Sequence, residues 1–353
     1  MTILFFIGNG FDLSSGLKTR FRDVLPHYIA ETTRKPIIKS FKESIVDGFD
    51  DWASFEEKMG IYTDEISKKD MPMLTFSDYM TCMLDFKRFL KKYLKAEESK
   101  VNYENTQHIT KNFKKSLFDF TECLNCDPQI IFNEIDKDIV KFSYINFNYT
   151  LVFDNCLNIF KESNIFPVEK RVKSGFFNFT RHNDLGKVIH IHGTLDSDMI
   201  LGVNELSQIK NIDFHGLDKV NTYIKPNANN ALENRRNIDV MKLLNDAEIY
   251  CIFGMSLGKT DRKWWIEIGN QLVKTQGKQL IIYAFDETHD ASFLENTLAL
   301  KDYFENMFLR HLQFSKLNKD DIVKIKKNIH VVLNKDIFKM ELSVNTGAAH
   351  NEA

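Results

Sequence analysis

Cysteine and net charge are both scarce in this sequence, and each scarcity excludes a class of protein. The 353 residues include five cysteines at irregular positions, which argues against a secreted disulfide scaffold and predicts a reducing, cytoplasmic environment. A formal net charge of -2 excludes a chain-wide basic field that would attract nucleic acid or acidic membranes.

Long hydrophobic runs are missing as well. No stretch approaches the roughly 18 apolar residues that a membrane-spanning helix requires. The opening MTILFFIG is shorter, follows no basic segment and ends at glycine, so it predicts a buried strand rather than a signal peptide. With 43% hydrophobic and 27% charged residues, the chain is expected to be a soluble protein with a substantial core and no membrane partner.

The order of the apolar segments predicts an α/β fold. Residues 2–7 form an almost continuous apolar run, as in a central parallel strand, and a glycine-containing turn and a helix follow. Later strand candidates lie at 140–146, 187–191, 248–254, 279–285 and 328–333. They alternate with helical patterns near 150–161, 229–246, 261–275 and 291–317. We therefore predict a doubly wound, mostly parallel, Rossmann-like sheet.

A large helical insertion is expected within this sheet. Between about 38 and 136, apolar residues such as Phe76, Met80 and Met83 recur at spacings of three and four residues. We expect residues 1–345 to form a single domain that includes this insertion. Residues 346–353 are small and polar and predict a disordered tail.

The first turn, GNGFDLSSG at residues 8–16, is a candidate phosphate-binding loop. Its glycines would let the backbone approach an anion at the start of a helix. The dinucleotide fingerprint is incomplete, because Leu13 stands where the third glycine belongs. Asp12 and Ser15 could also serve as helix caps, so a tight structural turn remains an equal alternative.

Three later turns also carry glycine, amide or imidazole groups directly after a strand. NFNYT contributes Asn148, HIHG contributes His192 and Gly193, and GMSLGKTD contributes Gly254 and Ser256. Ligands of open α/β sheets bind at the carboxyl ends of the strands, so the three turns predict parts of a ligand site. Taken alone, the NFNYT and GMSLGKTD turns are more typical of plain strand-to-helix connections.

The histidines of HIHG are candidates for proton transfer. Strand alternation predicts His190 and His192 on the same face, and a histidine at a strand end is well placed to act as a base near neutral pH. Neither a cysteine pair nor a carboxylate cluster at ligand spacing accompanies them, so we expect no metal. Asp261, which closes the last turn, is predicted to cap the following helix.

The four turns, in this order, resemble the NAD-binding core of sirtuins. The matching residues are Gly8, Gly10, Ser15, Gly16, Leu17, Asn148, His192, Gly193, Gly254 and Ser256. The chain is more closely similar to the AbiH family of bacterial abortive-infection proteins. That similarity is carried by IGNGFDLSSGLKTRF, DWASFEE with Trp52 and Glu56, INFNYT, HIHG, LGVN and FGMSLGKTD, between residues 7 and 261.

Departures from the sirtuin pattern change what the resemblance implies. Sirtuin deacylases carry a zinc module with two cysteine pairs after the His-Gly turn, whereas only Cys251 follows His192 here. Thr150 and Lys18 stand where sirtuins have aspartate and proline. The better analogy is with the zinc-free sirtuin-like domains of phage-defence systems, which cleave NAD. The resemblance therefore implies an NAD glycohydrolase that uses NAD as its substrate and needs no metal.

The resemblance also implies roles for individual residues. His192 would act as a base or hold the ribose, and Asn148 would orient a ribose hydroxyl or a water. The residues in contact with NAD would be Gly8, Asn9, Gly10, Asp12, Ser15, Gly193, Gly254 and Ser256. The first three would cradle the pyrophosphate, and the last two would face the adenosine. An ionised Asp12 would repel a pyrophosphate, so its alternative role as a cap remains open.

Two other functions are consistent with the same residues. The pocket could sense a nucleotide without turnover, with toxicity arising from the helical insertion or from oligomer formation. Nucleic-acid cleavage is less favoured, because no paired carboxylates at metal-binding spacing stand out. The expected partners are a small nucleotide, a phage-derived trigger and further copies of the chain.

Overall fold

A computed structural model describes residues 1–46, 51–68, 75–120, 139–163, 168–174, 177–232, 235–290, 292–335 and 337–344. The predicted tail at 346–353 and the end of the predicted insertion lie outside these residues. Within the described part of the chain, the helices are each too short or too polar to cross a membrane.

The strands form a seven-stranded sheet and a two-stranded one. In chain order they are β1 (Thr2–Ile7), β2 (Val101–Asn102), β3 (Ile139–Asn146), β4 (Val168–Ser174), β5 (Phe177–His190), β6 (Ile249–Phe253), β7 (Gln279–Ala284), β8 (Ile329–Leu333) and β9 (Ser343–Val344). The large sheet has the order β4-β5-β3-β1-β6-β7-β8, in which only β4 runs antiparallel to its neighbour. β2 pairs with β9.

The helices cover both faces of the sheet. They are α1 (Gly10–Ser14), α2 (Phe21–Ala30), α3 (Pro36–Ser44), α4 (Trp52–Lys68), α5 (Phe76–Glu98), α6 (Thr106–Asp119), α7 (Val152–Glu162), α8 (Lys225–Ala231), α9 (Arg236–Asp246), α10 (Arg262–Lys274), α11 (Leu294–Leu312) and α12 (Lys319–Lys326). Short 3-10 turns lie at Leu206–Gln208, Ile212–Phe214, Asp218–Tyr223 and Lys259–Asp261.

Strand β1 explains why the sheet is buried on both faces. Its alternate side chains enter two different apolar clusters, with Phe5 on the side of α6 and α7 and Phe6 on the side of α9 and α10. A continuous apolar run is the pattern that such a doubly covered strand requires. The predicted parallel, Rossmann-like α/β fold is thus confirmed.

The strand order of the sheet reverses next to β1. The chain passes from β1 outward to β3 and β5, and then returns to add β6 on the other side of β1. In open α/β sheets such a switch point opens a crevice at the carboxyl ends of the strands. The turns after β1, β3, β5 and β6 all lie at this end, which we call the carboxyl edge.

Helices of the predicted insertion pack with α2 and with residues between 195 and 224 in a separate apolar cluster. Phe21 of α2, Phe55 of α4 and Phe86 of α5 pack together there, with the ring centroids of Phe21 and Phe55 4.4 Å apart. Several details differ from the sequence prediction. β5 begins at Phe177, ten residues before the strand expected at 187–191, and the sheet of β2 and β9 was not predicted. The helix expected at 229–246 is two helices, α8 and α9, and the edge strand β4 had no sequence signal.

Candidate functional site

The turns after β1 and β6 are joined directly by backbone hydrogen bonds. The Gly8 N–H donates to the Phe253 carbonyl at 2.9 Å, and the Gly10 N–H donates to the Gly254 carbonyl at 2.9 Å. The Phe11 N–H donates back to the Gly8 carbonyl at 3.0 Å. Three backbone donors of the predicted phosphate loop are therefore engaged within the protein.

Glycine is required where these two turns touch. A Cβ atom on Gly10 would lie 2.4 Å from the Gly254 Cα, and one on Gly8 would lie 2.5 Å from the Gly254 carbonyl oxygen. Gly254 also has a φ of +67°, in the left-handed region that favours glycine. Close packing of backbone on backbone thus accounts for these glycines without a ligand.

We expect the Gly254→Ala variant to lose about 3 kcal/mol of unfolding free energy, because it combines a left-handed φ with a backbone clash. Gly277 has a φ of +90° but open space around its Cα, so Gly277→Ala should cost only about 1 kcal/mol. Gly216 has neither constraint, and its alanine variant should have nearly the unfolding free energy of the wild type. Urea denaturation checks the series, and equal losses at Gly254 and Gly277 would refute the close-packing explanation.

The other predicted contacts of the first turn differ in accessibility. The Asn9 side chain is bound to Thr19, whose hydroxyl donates to Asn9 Oδ1 at 2.7 Å. Ser15 is buried, and its hydroxyl has no hydrogen-bond partner among the described residues. Ser256 is exposed at the rim. Asn9 is thus held in place by the fold, whereas Ser256 is open to solvent.

Asn148 links the turn after β3 to the turn after β1. Its Nδ2 donates to the Gly8 carbonyl at 3.0 Å and lies 3.5 Å from Asp12 Oδ1. The Thr150 hydroxyl donates to the other Asp12 oxygen at 2.7 Å. All three side chains are buried. Two of the predicted site residues, Asn148 and Asp12, are therefore in direct contact at the carboxyl edge.

Burial changes the charge of Asp12. Desolvation raises the pKa of its carboxyl from 3.8 to about 7; the hydrogen bond from Thr150 opposes the rise, and the Glu98 carboxylate adds to it. Near neutral pH a large fraction of Asp12 is uncharged. The expected repulsion between an acid here and a pyrophosphate is reduced accordingly.

His190 and His192 do not share a face as strand alternation predicted, because β5 ends at His190. His190 Nδ1 lies 3.0 Å from the Asn148 carbonyl oxygen, and Nε2 lies 2.9 Å from Asp154 Oδ2. His192 instead contacts the Phe147 ring, at a centroid distance of 5.2 Å, and Asp261. The two histidines therefore belong to different carboxylate pairs.

His192 is held beside a carboxylate at the carboxyl edge. Its Nε2 lies 3.0 Å from Asp261 Oδ1, although the ring is not aligned for a directed hydrogen bond. Gly193 follows at a φ of +77°, where a Cβ would lie 2.1 Å from the Asp198 carbonyl oxygen. This glycine lets the chain turn sharply and brings His192 over Asp261.

Asp261 is also bound to a buried lysine. Lys225 Nζ lies 3.2 Å from Asp261 Oδ1 and 2.6 Å from Glu56 Oε2. We call Glu56, His192, Lys225 and Asp261 the ion cluster; at least 88% of each side chain is buried, which leaves little water to screen the charges.

The ion cluster fixes the charge of Asp261. Burial alone would raise the pKa of its carboxyl, but the Lys225 ammonium and His192 outweigh burial and hold that pKa well below its usual range. In turn, the two carboxylates outweigh burial and raise the pKa of Lys225. Asp261 therefore stays ionised beside the imidazole of His192.

Sequence reasoning missed Lys225 and the contacts that join this cluster. Asp261 stands at the N-cap position of α10 as predicted, yet its side chain makes no capping hydrogen bond. Glu56 entered only through the family resemblance, and Lys225 was not singled out. Lys225 comes 169 residues after Glu56, so local spacing gives no signal of their contact.

A small polar pocket lies beside His192, between α8, α9 and the start of α10. His192, Asn237, Thr260 and Asp261 are among the residues that line it. The space that a water-sized molecule can occupy there is about 10 Å³. In the part of the chain described above, no three histidine, cysteine or acidic side chains are grouped to hold a metal ion.

The chain is thus an α/β protein of Rossmann-like topology, with paired histidines and carboxylates at the carboxyl edge of its sheet. A family model described as "Bacteriophage abortive infection AbiH" matches residues 4–283. This match covers most of the chain, which therefore belongs to the AbiH family of abortive-infection proteins. No curated protein matches the sequence.

Proposed function

We propose that this AbiH protein hydrolyses the bond between ribose and nicotinamide in NAD. The observation that carries the proposal is the contact of His192 with an ionised, buried Asp261 at the carboxyl edge. A histidine beside an ionised carboxylate is an arrangement that general-base catalysis uses. Depletion of NAD in an infected cell would agree with the abortive-infection role of the family.

The reaction needs few groups from the protein. Water attacks the ribose C1′, the C1′–N bond breaks, and its electron pair leaves with nicotinamide, which departs as a neutral molecule. The proton of the attacking water passes to the imidazole of His192. The ring nitrogen of His192 that carries no hydrogen would accept that proton. The products are nicotinamide and ADP-ribose.

Binding would use groups near the same edge. Asn148 lies against both Gly8 and Asp12, and Asp12 is only partly charged near neutral pH, which supports a ribose close to these residues. Ser256, exposed on the turn after β6, is accessible to the adenosine side. The Gly8 and Gly10 amides already donate to the β6 turn, so the pyrophosphate would need other donors or a separation of the two turns.

That last observation favours a second candidate, a nucleotide sensor without turnover. A turn closed by its own hydrogen bonds could open when a nucleotide binds and relay the change to the helices around Glu56. Catalysis and sensing differ in their dependence on His192. A sensor tolerates the loss of this imidazole, whereas a hydrolase does not.

The experiment is incubation of the purified protein with NAD, with and without phage lysate, and chromatography of free nicotinamide. We expect release by the wild type and a loss of about 100-fold or more in His192→Gln. Asn148→Ala should also lose activity, because the contacts to Gly8 and Asp12 disappear. His215→Gln, directly after the 3-10 turn at Ile212–Phe214, serves as the matched control.

Three results separate the candidates. Nicotinamide release that depends on His192 and Asn148 supports the hydrolase. NAD binding without release, unchanged in His192→Gln, supports the sensor. If NAD does not bind with or without lysate, both NAD-based proposals are refuted.

A further inference from the structure

The polar pocket beside His192 contains buried polar atoms that no described residue satisfies. Thr260 is 1% exposed and Asn237 is 9% exposed, and both line the pocket. Thr260 Oγ1 and Asn237 Oδ1 have no hydrogen-bond partner among the described residues. Two unsatisfied polar atoms in one buried pocket indicate a ligand, because such groups are otherwise costly to bury.

The orientation of the Asn237 amide is fixed by its neighbours. Its Nδ2 donates to the Pro226 carbonyl at 3.0 Å and to Asn230 Oδ1 at 2.9 Å. The Pro226 carbonyl can only accept, so the amide cannot be flipped without losing that hydrogen bond. Oδ1 therefore has to accept a hydrogen bond, and the ligand must be able to donate one.

The pocket is of the size of a single water. The accessible space of about 10 Å³ is close to the smallest volume that holds one water molecule. A water there could donate to Asn237 Oδ1 and accept from the Thr260 hydroxyl. His192 lines the same pocket. Its imidazole is the group that would take the water's second proton.

We propose that this pocket is the binding site of the attacking water, and that Thr260 and Asn237 are its positioning residues. The inference rests on the proposed NAD hydrolysis. The water oxygen forms the bond to the ribose C1′ as the C1′–nicotinamide bond breaks. One proton of the water goes to His192, and the other stays on the new hydroxyl of ADP-ribose. The small volume makes the site selective for water over larger nucleophiles.

Competition between water and methanol tests this selectivity. In mixtures of the two, the wild type should give ADP-ribose and almost no O-methyl ADP-ribose. Thr260→Ser keeps the hydroxyl but removes a methyl group, so the methylated fraction should rise. Thr260→Val keeps the volume and loses the hydroxyl, so nicotinamide release should fall about 10- to 100-fold without methylated product.

The controls distinguish a role of Thr260 in positioning the water from a purely structural role. Ser143→Ala removes another buried, unsatisfied hydroxyl, in the middle of β3, and should leave both rate and product unchanged. A merely structural role of Thr260 would lower the rate in both Thr260 variants without changing the product ratio. Wild-type product that follows the bulk water-to-methanol ratio would overturn the proposal.

A high-resolution crystal structure makes the binding site testable even if NAD is not cleaved. We expect one ordered water bonded to Thr260 and Asn237 in the wild type, and its loss in Thr260→Val. A pocket without that water overturns the site itself. If the water is present but the wild type releases no nicotinamide, the hydrolase proposal and the nucleophile role both fail.

Discussion

Replacement of Lys225 by methionine is expected to lower the free energy of unfolding by about 3 to 5 kcal/mol. The lysine stands between Glu56 and Asp261, and all three side chains are at least 88% buried. Without the ammonium group, two carboxylates would face each other in a region with little water. Removal of one partner from a buried ion group costs more than the group contributes, because the remaining charge is left unpaired.

Lys278→Met is the matched control. Lys278 is also buried, but its Nζ contacts only neutral oxygens, those of Leu244, Asn245, Tyr250 and Gln271. Its loss leaves unsatisfied acceptors but no carboxylate that had been in contact with the ammonium group. We therefore expect Lys278→Met to lower the free energy of unfolding by about 1 to 3 kcal/mol. Chemical denaturation of both variants at one pH measures the difference.

A triple variant tests whether unpaired charge causes the loss of stability in Lys225→Met. Addition of Glu56→Gln and Asp261→Asn to Lys225→Met removes both carboxylates, and we expect most of the lost stability to return. If Lys225→Met costs no more than Lys278→Met, or if the triple variant is no more stable than the single one, the ion cluster does not have the energetic role argued above.

The sheet could be predicted from the sequence because its strands are buried on both faces. Continuous apolar runs such as Thr2–Ile7 and Ile249–Phe253 identify central strands whatever surrounds them. β4 gave no such signal: VEKRVKS at 168–174 is rich in charged residues. The break between α8 and α9 was missed because LENRR at 232–236 contains neither glycine nor proline, the residues that most often mark a helix end.

The position of the candidate site in the fold was predictable, whereas the contacts within it were only partly so. Polar residues after apolar strands identified Asn148 and His192, because the parallel topology brings strand ends together. Glu56 and Lys225 come from α4 and α8, which reach the site through tertiary packing that no local pattern encodes. The glycines were predicted for phosphate contact, and the structure provides another reason, the close approach of Gly10 to Gly254.

Asp12 is expected to make the protein less stable as the pH rises from about 4 to about 7. Burial raises the pKa of its carboxyl from 3.8 to about 7 in the folded protein, so the folded state holds a proton that the unfolded chain releases. The stabilisation is complete below the unfolded pKa and is lost as the pH passes through the folded value. At 1.36 kcal/mol per pH unit, the loss is on the order of 4 kcal/mol.

Asp12→Asn isolates this contribution from other carboxyls. Asp261 has the opposite effect, because its depressed pKa favours stability at higher pH. Urea denaturation from pH 4 to pH 8 measures the unfolding free energy of wild type and Asp12→Asn. As the pH rises, the variant should gain about 4 kcal/mol of stability relative to the wild type.

Thr150→Val is a second test of how Asp12 makes stability depend on pH. The Thr150 hydroxyl favours the ionised form of Asp12 by donating to it at 2.7 Å. Its removal should raise the pKa of Asp12 further and extend the loss of stability to higher pH. Parallel curves for wild type and Asp12→Asn would mean that Asp12 is ionised across this range. The neutral form of Asp12, which would not repel a pyrophosphate, would then be absent at the pH of the cell.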